Sequence, residues 1–350
     1  VKDLEKLCGR AVADNKNESG ETNLNYLSMD SKGIDCDVNL TYCLTRSKLQ
    51  AWAQKPALHF RFLESVTRRT AMAYTAEISR SNPSCFVFLI DQSASMDDPF
   101  GGGESTKRKA DAVADAINKL LQNLVIKCAK SEGVRDYYNV TVIGYGSNVG
   151  PAFGGALSGR DSVPVSDIAN QPARIDERTK KVDDGAGGLV DQTVKFPIWF
   201  DPIANNGTPM CAAMGRAQSI LSNWLAQHPD CFPPIAINIT DGESTDGDPT
   251  NAASSIRSLA SSDGNILLFN VHLSSSAAPS VEYPDNDAAL ADQYAKLLFN
   301  MSSPLPDYMR SIALQEGLPV TDGARGFVFN AGIVSVIQFL DIGTRPSNLR

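Results

Sequence analysis

The sequence predicts an α/β protein: a doubly wound, mainly parallel open sheet with helices on both faces, preceded by an N-terminal extension. Three observations predict it. Short, continuous apolar runs recur along the chain, as in strands covered on both faces. Stretches with apolar residues spaced by three and four lie between them. Two of the apolar runs end on aspartates, Asp91 and Asp241, where such sheets place their ligands.

The elements follow in order. Cys85–Ile90, "CFVFLI", is the first core strand. Ser105–Leu124 reads as a helix, with Ala110, Val113, Ala114, Ile117, Leu120, Leu121 and Leu124 on one face. Tyr138–Gly146 is the next strand. Thr208–Gln227 is a helix with Pro209 in its first turn, where proline is tolerated. Ile235–Thr240 and Asn265–Leu273 are strands, with a short helix at Asn251–Ser261 between them. Helices at Asp287–Phe299 and Leu305–Gln315, a strand at Gly326–Asn330 and a closing helix at Ala331–Phe339 complete the pattern. Strand–helix alternation of this kind favours a parallel sheet.

The predicted domain covers residues 84–344, and residues 345–350 form a tail. A long stretch rich in Gly, Pro and Asp, about 147–206, reads as an irregular insertion, with a hairpin beside the site at Asp183–Pro202. Residues 1–83 read as an extension of unassigned function. It is polar and without clear period at first, then largely helical from Ser47 to Ser79.

Composition narrows the function. Of 350 residues, 42% are hydrophobic and 21% charged, which supports a packed core. The net charge of −8 argues against nucleic-acid binding and suits a function involving cations or basic surfaces. The seven cysteines are irregularly spaced and form no CxxC pair, which weakens a zinc site and suggests reduced thiols in the cytoplasm. No apolar run approaches the roughly 18 residues of a membrane span, and no secretory signal is visible in the sequence.

Three loops carry the candidate chemistry: Asp91-Gln-Ser93-Ala-Ser95, Gly207-Thr208-Pro209-Met210 and Thr240-Asp241-Gly242-Glu243-Ser244. The first and third follow core strands and the second precedes a helix, so all three are expected at one edge of the sheet. Asp91 and Asp241 with the hydroxyls of Ser93, Ser95 and Thr208 make an all-oxygen set, which hard divalent cations prefer.

At these residues the sequence resembles von Willebrand factor type A domains with a metal-ion-dependent adhesion site. The resemblance covers about residues 84–344 and is closest in style to bacterial intracellular members. It implies that Ser93, Ser95 and Thr208 ligate a metal directly, and that Asp91 and Asp241 act directly or through water. The expected ion is Mg2+, with Mn2+ or Ca2+ as substitutes. The resemblance further implies a non-enzymatic docking module whose metal takes an Asp or Glu from a partner protein. Such proteins work beside AAA+ ATPases or kinase and phosphatase partners, in stress or defence systems.

Other patterns read as structural. Glu243, Asp246 and Asp248 suit a solvated turn with Asx caps better than a further cation site. Gly144–Gly150 fails the dinucleotide fingerprint. Lys107–Lys109 reads as the exposed side of a helix start, and His272 as a hydrogen-bonded core histidine. The competing function is a metal-dependent phosphoryl-transfer hydrolase with Asp91 as nucleophile. Against it, Ser93 stands where such phosphatases place a second acid.

Overall fold

A computed structural model describes residues 74–100, 107–183, 188–274, 279–290, 292–318 and 320–330, together with short strands between residues 15 and 38 and two helical positions, 335 and 338. The chain divides into two compact units, Val1–Ala71 and Met72–Arg350. In the first, Asn15–Lys16 pairs antiparallel with Thr22–Asn23, and Tyr26–Met29 with Asp35–Val38. Most of the predicted Ser47–Ser79 helix lies outside the described residues. Its last part, from Tyr74, is not helical.

The second unit is built on one sheet. Its strands are β1 (Ser84–Asp91), β2 (Tyr138–Tyr145), β3 (Val149–Pro151), β4 (Val163–Pro164), β7 (Ile235–Thr240), β8 (Leu267–His272), β9 (Val281–Glu282) and β10 (Phe327–Phe329). The order is β4-β2-β1-β7-β8-β10-β9, with β3 also on β2. The five central strands, β2 to β10 in that order, run parallel. The short outer strands β3, β4 and β9 are antiparallel. The chain leaves β1 towards β2 on one side and later returns as β7 on the other. β1 is thus the switch point of a doubly wound sheet, as predicted.

The strand pleat divides the core in two. Phe86, Phe88 and Ile90 face one layer with helices α1 (Lys109–Cys128), α2 (Val165–Asn170) and α6 (Asp307–Gln315). Cys85, Val87 and Leu89 face the other with α3 (Met210–Gln227), α4 (Thr250–Ser258) and α5 (Gln293–Met301). The predicted apolar stripe of α1 is buried and continues to Cys128. The helix starts at Lys109 rather than Ser105 because the preceding residues fold back. Phe100 N donates to Lys107 O, and Lys109 N donates to Asp98 O. α5 likewise starts late, at a cap where the Asp292 carboxylate accepts from Ala295 N at 2.6 Å.

Two sequence expectations are corrected. The 147–206 stretch is not irregular: it holds β3, β4, α2 and a long ribbon. The ribbon pairs β5 (Arg174–Asp183) with β6 (Leu189–Ile198) in unbroken register, so it begins before the predicted Asp183. Asn118 of α1 pins its base, donating to Phe200 O at 2.8 Å and accepting from Trp199 N at 2.8 Å. The boundary at residue 84 also moves. Ile78 is buried in the first core layer, and the Asp263 carboxylate accepts from Thr75 N and Ala76 N at 2.9 Å each.

Candidate metal centre

Asp91 ends β1 and Thr240 ends β7, two neighbouring parallel strands. Asp91 is 1% exposed, and both its oxygens are engaged. Oδ1 accepts from Ser93 N at 2.8 Å, and Oδ2 from the Thr240 hydroxyl at 2.6 Å. A 3-10 turn, Ala94–Asp97, then curls the chain back, anchored by fully buried Met96. The turn sets the Ser93 and Ser95 hydroxyls 3.0 Å apart. Burial, and then the charge of Asp241, push the Asp91 carboxyl up to about 6, against the hydrogen bonds of Ser93 and Thr240.

Asp241 follows Thr240. His272, at the end of β8, holds its backbone: Nε2 lies 2.8 Å from Asp241 O. A carbonyl only accepts, so Nε2 carries the proton. Burial lowers the pKa of this histidine and keeps the ring neutral. Gly242 permits the tight passage. Its φ is +116°, and a Cβ there would stand 2.6 Å from His272 Nε2.

The second loop is tied to both others. Asn205 N donates to Gln92 O at 2.7 Å, and Ala94 N to Asn206 O at 2.9 Å. Thr208 N donates to the Thr245 hydroxyl at 2.9 Å, and Thr245 N returns to Thr208 O at 2.9 Å. Asp246 then caps α3 from the third loop, accepting from Cys211 N and Ala212 N at 2.9 Å each. Gly146, beside the first loop, allows its close packing, since a Cβ there would lie 2.6 Å from Gln92 O.

The structure therefore gathers Asp91, Ser93, Ser95 and Asp241 at the switch of the sheet, and ties the Thr208 backbone to the third loop through Thr245. Among the described residues no group of three or more His, Cys, Asp or Glu side chains is placed to hold a metal. The cluster has two carboxylates, and hydroxyls make up the rest. Its chemistry fits a hard cation: the donors are all oxygen, and two carboxylates repel each other in a buried place. Asp246 and Asp248 serve as caps, as the turn reading expected; Asp248 accepts from Thr250 N at the start of α4.

One residue departs from its sequence reading. Lys109 is 2% exposed, not on the outer side of the helix. Its ammonium donates to Asp241 Oδ2 at 3.1 Å and to Ser95 O at 3.4 Å, and lies 3.6 Å from Asp98 Oδ2. Its neighbours are also paired, Lys107 with Asp115 and Arg108 with Asp97 and Asp111. Thr240 opens the third loop but lies outside the ligand set expected from the sequence, as do Thr245 and Lys109. The signal for Lys109 was a cation in the first turn of a helix, where the backbone is already positive.

Comparison with known proteins adds likenesses only. No family model and no curated protein matches the sequence. Among solved structures, the vWF domain of the type V pili tip protein Mfa5 from Porphyromonas gingivalis is similar at 15% identity, with a TM-score of 0.27. That match covers 47% of this chain and 39% of that one. The pilus adhesin RrgA from Streptococcus pneumoniae is similar at 17% identity over 48% of this chain and 21% of its own, with a TM-score of 0.24. Both likenesses span less than half of either chain.

Proposed function

We propose that this chain is a metal-dependent protein-interaction module of the von Willebrand factor A type. In this reading Asp91, Ser93, Ser95, Thr208 and Asp241 hold a divalent cation, Mg2+ in the first place, and an Asp or Glu of a partner protein completes its shell. The observation that carries it is the convergence of two strand-end aspartates with a pair of serine hydroxyls at the switch point of the sheet. A bound cation would offer an electrophilic coordination position at the protein surface. The chain's own residues do the rest. Ser93 N and Thr240 fix the Asp91 carboxylate. The neutral hydroxyls add oxygen donors without adding negative charge, which leaves the cation an appetite for an anionic ligand.

A partner from a bacterial multi-protein system, such as an AAA+ ATPase or a kinase or phosphatase, fits this chemistry. Nucleic acid does not, given the net charge of −8. Cys85, Cys128, Cys211 and Cys231 are free thiols, in keeping with a cytoplasmic location. No helix among the described residues is long and apolar enough to cross a membrane. The hydrolase alternative finds less support. A nucleophilic Asp91 would work with a second acid two residues on, and that place is taken by Ser93, whose hydroxyl lies against that of Ser95.

The test is calorimetric titration of Mg2+ into the full chain, with capture of partners from lysate in the presence and absence of EDTA. Asp91→Ala and Thr208→Ala should abolish both metal binding and EDTA-sensitive capture. Partner capture that survives both substitutions and EDTA would show the proposal to be wrong.

A further inference from the structure

Lys109 is the first residue of α1, where a positive side chain opposes the helix dipole. It is buried, and burying an ammonium is costly unless it is paired. Its closest carboxylate is Asp241, one of the proposed ligands, and its other hydrogen bond goes to the carbonyl of Ser95, another. Both an unfavourable helix position and an unfavourable environment are thus accepted in order to hold one positive charge against this cluster.

The formal charges show what that charge does. Asp91 and Asp241 carry two negative charges, and Lys109 cancels one. A divalent cation then leaves the cluster with one net positive charge. Without the lysine, the loaded cluster would be neutral. Asp98, the lysine's third neighbour, has a side chain 56% exposed, so solvent weakens its share of the balance without removing it. Within the buried part of the site screening is weak, so one charge acts on both the metal and whatever binds it.

We propose that Lys109 is a resident cation of this site: it weakens the hold of Asp91 and Asp241 on a divalent metal, and it makes the loaded site select an anionic, carboxylate ligand over a neutral one. The inference rests on the docking function proposed above and names the residue that sets its ligand class. Lys109 acts through charge and position, not as a ligand itself. A purely structural lysine, one that only holds the loops together, would on removal weaken metal and carboxylate binding alike. A resident cation moves the two in opposite directions.

The experiment uses the full chain with Mn2+ as the probe metal, titrated by electron paramagnetic resonance. Carboxylate affinity of the loaded site is read from broadening of 13C-acetate resonances by the bound Mn2+. Lys109→Met and Lys109→Gln should tighten Mn2+ binding at least tenfold and weaken acetate binding at least threefold. Lys109→Arg, which keeps the charge, should stay within about threefold of wild type for both. Neutral variants that weaken both affinities, or change neither, overturn the inference.

If the neutral variants do not fold, Asp98→Asn tests the same charge balance from an exposed position. Freeing Lys109 from that carboxylate should weaken Mn2+ binding and strengthen acetate binding, about threefold each; no change in either overturns the inference. Failure of the docking function is seen separately. If wild type binds no Mn2+ but Lys109→Met does, the effect of the lysine on the metal stands, while its carboxylate selection and the docking proposal fall. If neither binds Mn2+, both fall. If both bind it equally, the lysine inference alone falls.

Discussion

The Thr240 hydroxyl donates to Asp91 Oδ2 at 2.6 Å, across the ends of two neighbouring strands. The same hydroxyl accepts from Gly242 N at 3.0 Å. One side chain thus holds a buried carboxylate on one side and the turn after Asp241 on the other. Thr240→Val keeps the shape and removes both bonds. It should cost about 1–3 kcal/mol of stability, because a buried acceptor and a buried donor lose their partner. Urea unfolding of the variant against wild type checks this, and an unchanged midpoint would contradict it.

The raised pKa of Asp91 makes stability depend on pH in a set direction. The carboxyl ionises near 3.8 when free and near 6 in the fold. Between these values the folded state holds a proton that the unfolded chain lacks. Stability from this group is therefore present at low pH, falls as pH rises from about 4 to about 6, and stays low above. The gap corresponds to on the order of 3 kcal/mol. In EDTA, wild type should lose about that much relative to Asp91→Asn over this range, as measured by denaturant unfolding at fixed ionic strength. A constant difference between the two proteins would refute the assignment.

Asp246 caps α3 from another loop, and the first turn of that helix follows Thr208. Asp246→Ala should destabilise the protein by about 1–2 kcal/mol, as the loss of a helix cap does. It should also weaken Mg2+ binding without removing any proposed ligand. Asp248→Ala uncaps α4 instead, so it should cost stability alone. Thermal unfolding and Mg2+ titration of the pair separate the two roles, and equal Mg2+ affinities would count against a link between the α3 cap and the site.

Gly242 has little freedom to change. Alanine there would be strained at a φ of +116° and would press on His272 and Tyr294. Gly242→Ala should cost about 1–3 kcal/mol. It should also free His272 from the Asp241 carbonyl, so that its imidazole titrates closer to its ordinary range. Proton NMR of the imidazole checks the second effect.

The sheet was legible in the sequence because its inner strands are buried on both faces. "CFVFLI", "IAINIT" and "ILLFNV" admit few other interpretations. The three loops were legible because each joins a strong element boundary to oxygen-bearing residues. The ribbon was hidden for the opposite reason. Residues 174–183, "RIDERTKKVD", show no apolar alternation, since much of this strand lies open to solvent. Its position is set by Asn118 and Trp199, residues far apart in the chain. The place of Lys109 is hidden from the sequence for a related reason. Within its helix it belongs to a basic run, and only the return of the chain after β7 brings Asp241 to it.

The three loops close a ring of hydrogen bonds. Gln92 and Ala94 meet Asn205 and Asn206, Thr208 meets Thr245, and Thr240 meets Asp91. No one of them can open without breaking its bonds to the other two. The oxygen cluster is thereby pre-organised: the entropy of ordering these loops is spent when the sheet forms, not when a ligand arrives. A protein docking here as proposed would meet loops already ordered, and the free energy of its contact would go into affinity and choice rather than into folding the site.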